Sequence, residues 1–114
     1  VVNTRKKGNR IERKAEDKLH NEGFSTARMP HTRYGDNDFF NLFDIIAVKP
    51  GSPFKCVQVK ANSWPNLTEF KENTIDEMPM KHCRIELWRW TDYQGWTIRL
   101  LNDAHEWETI LDQT

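Results

Sequence analysis

The sequence predicts an α/β or α+β sandwich, with helices packed around one mixed sheet of five strands. Three observations support this. A helical apolar stripe opens the chain, two short apolar segments flank a Pro-Gly turn, and two aromatic-rich alternating segments follow a weaker helix. That succession of periods is the pattern of a sheet covered by helices. At 114 residues the chain is sized for a single domain, residues 1–114, with one modest core.

The first helix is expected from about Asn9 to Asn21. Asn9 offers a cap, Ile11, Ala15 and Leu19 recur at helical spacing, and Gly23 supplies the stop. Phe24 to Met29 alternates as a strand, and Pro30 ends it. Residues 30–41 carry Pro, Gly, Asp and Asn punctuation and read as a loop. Leu42–Val48 and Phe54–Lys60 are the next strands, joined as a hairpin through Pro50-Gly51-Ser52-Pro53. Asn66 to about Met78 is a second helix, weakened by Thr68, Asn73 and Thr74. His82–Trp90 and Trp96–Leu101 are the last two strands, with Asp92-Tyr93-Gln94-Gly95 as their turn. Residues 103–111, carrying Trp107, Ile110 and Leu111, are expected to close the fold as a short helix.

Composition narrows the function classes. Hydrophobic residues are 37% and charged residues 30% of the chain, an ordinary soluble mixture. No apolar run approaches the roughly 20 residues a spanning helix needs, so no membrane partner is expected. Arg5, Lys6 and Lys7 are not followed by an apolar stretch, and nothing there reads as a signal peptide. Cys56 and Cys83 are too few for a disulfide scaffold or a cysteine zinc site, and a reducing, cytoplasmic setting is the simplest expectation. The 17 basic and 17 acidic residues cancel, which argues against binding nucleic acid by bulk charge. Their distribution is uneven. Residues 1–20 hold seven Lys and Arg against three acids, while the last fourteen residues hold four acids and no Lys or Arg. Lys6, Lys7, Arg10 and Arg13 at the basic end are candidates for meeting phosphates, against the alternative of a solvated helix face.

Asp44 is the residue whose chemistry most needs a reason. It interrupts an otherwise apolar strand, and burying an ionised carboxylate without a partner costs several kcal/mol, on the order of the penalty for an uncompensated buried charge. It needs a cation, a strand end or a metal. Gln58 and Lys60 lie two apart in the next strand and therefore share a face, opposite Val57 and Val59. If the hairpin closes, a carboxylate, an amide oxygen and an ammonium converge at one strand end. Mg²⁺, with Mn²⁺ as a substitute, takes such oxygen ligands. Asp44 would supply a carboxylate, Gln58 its side-chain carbonyl and Val59 its backbone carbonyl. Lys60 would stabilise charge on the attacking water or the phosphate. The bland alternative is a salt bridge for Asp44 and an exposed strand face for Gln58 and Lys60.

The order of these motifs resembles the archaeal-type Holliday junction resolvases of the PD-(D/E)xK nuclease superfamily. Lys7-Gly8, Glu12-Arg13 and Gly23-Phe24 match the family's N-terminal helix, Asp44 its metal-binding aspartate, and Gln58-Val59-Lys60 the position of its Glu-x-Lys. The resemblance covers about residues 6–62. It implies a restriction-endonuclease-like core and Mg²⁺-dependent hydrolysis of DNA, with junction DNA as substrate and a homodimer as the working form. It implies that Glu12, with Glu16 one turn later as the alternative, reaches the metal site from the helix. It also implies that the 30–41 loop approaches the scissile phosphate, making Arg33 and His31 candidate DNA contacts. Two positions depart from the family: Phe43 stands where a proline usually precedes the aspartate, and Gln58 stands where an acid usually ligates. Other expectations stay open, namely a restriction, repair or flap-type nuclease, a non-catalytic DNA-binding module with a decayed site, or a small interaction domain. Trp88, Trp90 and Trp96 are candidates for base stacking, a subunit interface or plain core.

Overall fold

The computed structural model describes residues 4–28, 42–79 and 81–112, with side chains described from residue 10 onward. Its elements are α1 (Thr4–Asn21), β1 (Ser25–Arg28), β2 (Ile45–Val48), β3 (Phe54–Ala61), α2 (Leu67–Glu77), β4 (Cys83–Thr91), β5 (Gly95–Leu101) and β6 (Trp107–Asp112). The strands form one sheet in sequence order, β1-β2-β3-β4-β5-β6. Only β3 and β4 run parallel; every other neighbouring pair is antiparallel. The sheet is therefore mixed, as expected, and α2 is the crossover that a parallel pair requires.

α1 starts earlier than the sequence suggests, so Asn9 lies inside it and caps nothing. What holds the helix is its stripe: Ile11, Ala15 and Leu19 are 2% exposed or less. Its end is closed by the Gly23 amide on His20 (3.0 Å) and the Phe24 amide on Leu19 (3.0 Å). That paired pattern needs a left-handed residue just past the helix, and Gly23 has φ +95°. Phe24 then folds back beside Leu19 in the core. α2 is capped by Asn66, whose side-chain oxygen accepts from the Glu69 amide at 3.1 Å.

The closing segment corrects an expectation. Residues 107–112 form a sixth strand, not a helix. Trp107, Ile110 and Leu111 imitate helical spacing, but a register shift at Ile98/Arg99 changes which side chains face inward. It sends Trp107 to one core and Leu111 to the other. An edge strand paired with β5 buries both residues without a helix.

Two cores lie on opposite faces of the sheet. On the α1 face, Ile11, Ala15 and Leu19 pack on Ile45, Val57, Val59, Trp88, Trp96 and Ile98. Of the three tryptophans of β4 and β5, Trp88 and Trp96 are buried here in the core, and half-buried Trp90 packs against it. Trp96 meets Trp88 at 5.3 Å and Trp90 at 5.2 Å between ring centroids, both edge to face. On the α2 face, Phe70 and Met78 pack with Phe43, Cys56, Cys83, Ile85 and Leu87. Both cysteines are buried and free. Among the described residues no helix is long and apolar enough to cross a membrane.

Candidate active site at the open end of β3

Strand alternation puts Phe54, Cys56, Gln58 and Lys60 on the α2 face, and Val57 and Val59 on the α1 face. Across the α2 face the register forms rows. Cys56 lies beside Ile85 and Leu101, Gln58 beside Leu87 and Arg99, and Lys60 beside Arg89 and Thr97. The first row is apolar and lies under α2. The next two are polar and lie toward the end of β3.

β2 stops short of that end. Its pairing with β3 finishes at Ile45 opposite Val57. The chain then turns aside at Asp44, whose amide donates to the Val57 carbonyl at 2.9 Å. The Asp44 carboxylate takes the place of the missing ladder: its Oδ2 accepts the Val59 amide at 2.9 Å. Asp44 is 8% exposed, so burial is reconciled with charge partly by this backbone donor. A residue's amide and carbonyl point to the same side of a strand, so the Val59 carbonyl faces the same opening as Asp44.

Gln58 is 6% exposed, and its Oε1 is buried with no hydrogen-bond partner among the described residues. An orphaned acceptor costs about 1–3 kcal/mol, so its retention calls for a ligand or a donor from outside the fold. Glu12 is buried at 5% in α1, one residue after Ile11, on the face that covers Ile45 and Val59. It therefore lies on the opposite face of the sheet from Gln58 and Lys60. Among the described residues, no three His, Cys, Asp or Glu side chains gather as a metal-binding group. The donors present are carboxylates, an amide oxygen and a peptide carbonyl, all hard oxygens that suit Mg²⁺.

The sequence-derived residues separate in the structure. Asp44 is bonded to the Val59 amide, Gln58 and Lys60 stand on either side of Val59 along β3 and share the α2 face, and Glu12 lies on the other face of the sheet. Glu16, the alternative helical acid, is taken up elsewhere: it accepts from Thr26 Oγ1 at 2.6 Å and pairs with Arg28 at 3.4 Å. Arg10 and Arg13 are exposed on α1, and Lys6 and Lys7 lie in its first turns. His31 and Arg33 lie outside the described residues. Sequence reasoning missed Arg89, Arg99 and Trp64, which flank Lys60 and Gln58. The signal was the alternation of Arg89 with Trp88 and Trp90, which puts Arg89 on the face opposite the two tryptophans.

No protein-family model matches the chain, and no curated protein sequence matches it. By structure it is similar to Hjc of Archaeoglobus fulgidus, a Holliday junction resolvase from an archaeal hyperthermophile. The TM-score is 0.61, the identity 19%, and the match covers 94% of this chain and 84% of that one. The chain has that fold, with a sheet of six strands where the sequence suggested five.

Proposed function

We propose that this chain is a metal-dependent endonuclease that hydrolyses phosphodiesters in structured DNA, with four-way junctions as its first substrate. The observation that carries the reading is the buried Gln58 oxygen, without a hydrogen-bond partner among the described residues, one residue from the Val59 amide that fixes the Asp44 carboxylate. Lys60 stands two residues on, in a resolvase-like fold. Asp44, Gln58, the Val59 carbonyl and Glu12 would hold Mg²⁺ or Mn²⁺. Such an ion, when bound, supplies Lewis acidity at the phosphate and a more acidic water. Asp44 holds its position because the backbone amide pins one of its oxygens. Lys60 places a positive charge where negative charge grows on the phosphoryl oxygens. Arg10, Arg13, Lys6, Lys7 and Arg33 would hold DNA backbone, which reads shape rather than sequence. A homodimer working inside the cell is part of the same proposal.

The test is cleavage of a labelled four-way junction, a flap and a linear duplex, side by side, with Mg²⁺ or Mn²⁺. Asp44→Asn and Lys60→Ala are each expected to lower the rate by roughly 10²-fold or more. Full cutting by both variants would sink the proposal, and preferred cutting of linear duplex at defined sequences would sink the junction assignment.

One observation favours a second reading, a DNA-binding module whose chemistry has decayed: Gln58 is a neutral ligand where two acids alone remain. Titration of Mn²⁺ into Gln58→Glu decides between them. A large gain in metal affinity, with no cutting by the parent, supports the module.

A further inference from the structure

The polar rows of the α2 face extend beyond the candidate catalytic residues. Arg89 is the direct neighbour of Lys60 across the β3–β4 pair, and Arg99 lies one strand further, in the row of Gln58. Both guanidiniums rest on one indole: Arg89 lies 4.6 Å and Arg99 4.5 Å from the Trp64 ring centroid. Trp64 is held there by the loop that leaves β3. Asn62 adopts a left-handed φ of 63° and its amide donates to the Trp90 carbonyl at 2.7 Å. Its side chain is tied to the next turn by donating to Asp92 Oδ2 at 3.3 Å and accepting the Asp92 amide at 3.0 Å.

This cluster is under-satisfied. Arg89 Nε and Arg99 Nε are buried without a hydrogen-bond partner among the described residues, as are Thr91 Oγ1 and Gln58 Oε1 on the same face. Neither guanidinium forms a salt bridge to a described carboxylate. On the neighbouring β6, Asp112 accepts from Thr97 Oγ1 at 3.5 Å. Each guanidinium is held by its cation–π contact with the same indole, and the buried Nε–H groups lack an acceptor among the described residues, so they can take an anion. Forked N–H donors fit phosphate oxygens.

We propose that Arg89 and Arg99, braced on Trp64, form a phosphate-binding site for the nucleic-acid strand that passes Lys60, holding a phosphate next to the scissile one. The proposal rests on the reading that Lys60 faces a phosphodiester. Their place beside Lys60 makes them positioning residues: they fix the strand's register against the site and do not touch the reacting atoms.

The experiment measures binding without cleavage. A labelled four-way junction and a labelled duplex are titrated in EDTA over a range of salt with the parent, Arg89→Gln/Arg99→Gln, Arg89→Lys/Arg99→Lys and Asp44→Asn. Each phosphate contact contributes about 0.9 to the slope of log affinity against log salt. The glutamine pair should lower that slope by about 1–2 and weaken binding roughly tenfold at moderate salt. The lysine pair should keep most of the slope. Near-UV circular dichroism reports whether the tryptophan packing survives in each variant. If the lysine pair, folded by that measure, binds with the parent's slope and the glutamine pair does too, the proposal is overturned. Failure of the parent to bind DNA overturns it as well. If the glutamine pair loses slope in EDTA while Asp44→Asn, assayed separately with Mg²⁺, cuts the junction at the parent's rate, the catalytic assignment falls and this site stands.

Discussion

Two buried polar clusters of the sheet, one around Glu86 on the α1 face and one around Gln58 on the α2 face, are satisfied in different ways. On the α1 face, Glu86 is fully buried and fully answered. It accepts from Trp88 Nε1 at 2.8 Å and Arg84 Nε at 3.1 Å, and Lys55 stands at 3.5 Å. Lys55 is in turn placed over the Phe24 ring at 4.6 Å. On the α2 face, Gln58 Oε1, Arg89 Nε and Arg99 Nε are buried and unanswered among the described residues. A charge with its partners in place is structural, whereas groups that lack them among the described residues are open to a ligand. The contrast is the reason the proposed site is placed on the half of the α2 face beyond α2.

The largest effect expected from that contrast is at Glu86. Glu86→Ala removes the acceptor of an indole N–H and leaves two cations beside a vacated buried site. Breaking a buried pair in this way costs about 3–5 kcal/mol. Urea unfolding should show most of the domain's stability gone, and a loss under about 1 kcal/mol would break the comparison, because Glu86 would then be no more structural than Gln58.

Gln58→Leu is expected to act in the reverse direction. It deletes an unanswered acceptor and adds apolar volume beside Leu87, so stability should hold or rise by about 1 kcal/mol while metal binding and cleavage are lost. A fall in stability of more than about 1 kcal/mol would show that Gln58 is a structural partner and not a ligand held in reserve.

How far the sequence announced this contrast depends on the residue. The shared face of Gln58 and Lys60, and the closeness of Asp44 to β3, were legible because period-two alternation and a hairpin turn suffice to give them. Glu12 came only from the order of motifs, and its place in α1 is on the other face of the sheet. The face of each arginine was not legible. Alternation divides Arg89 from Trp88 and Trp90, but only the register of β3 on β4 puts Arg89 beside Lys60. Trp64 reads as part of a broken loop, and its place depends on a left-handed Asn62 tied to Asp92. β6 was missed because its inward side chains switch faces at a bulge, which erases the period that would have marked a strand.

The smallest effect concerns the apolar row of the α2 face, which should be as closed as the polar rows are open. Cys56 and Cys83 sit there. Burial, with the neighbouring Cys83 and a hydrogen bond to it, pushes the Cys56 thiol up to about 12. Burial also raises Cys83, whose Sγ donates to the Pro79 carbonyl at 3.6 Å. An unfolded chain releases these protons nearer pH 9, so between about pH 9 and pH 12 the folded state binds more protons than the unfolded. Stability from these thiols is whole below that window and declines as pH rises through it. Cys56→Ala should therefore flatten the decline in melting temperature between pH 9 and pH 10.5, relative to the parent. The reactive form is the thiolate, so both cysteines should resist a disulfide reagent at pH 8 until the protein unfolds. Rapid labelling of the folded parent at that pH would mean that water reaches the apolar row. The line between the sealed and the open halves of this face would then have to be drawn closer to α2.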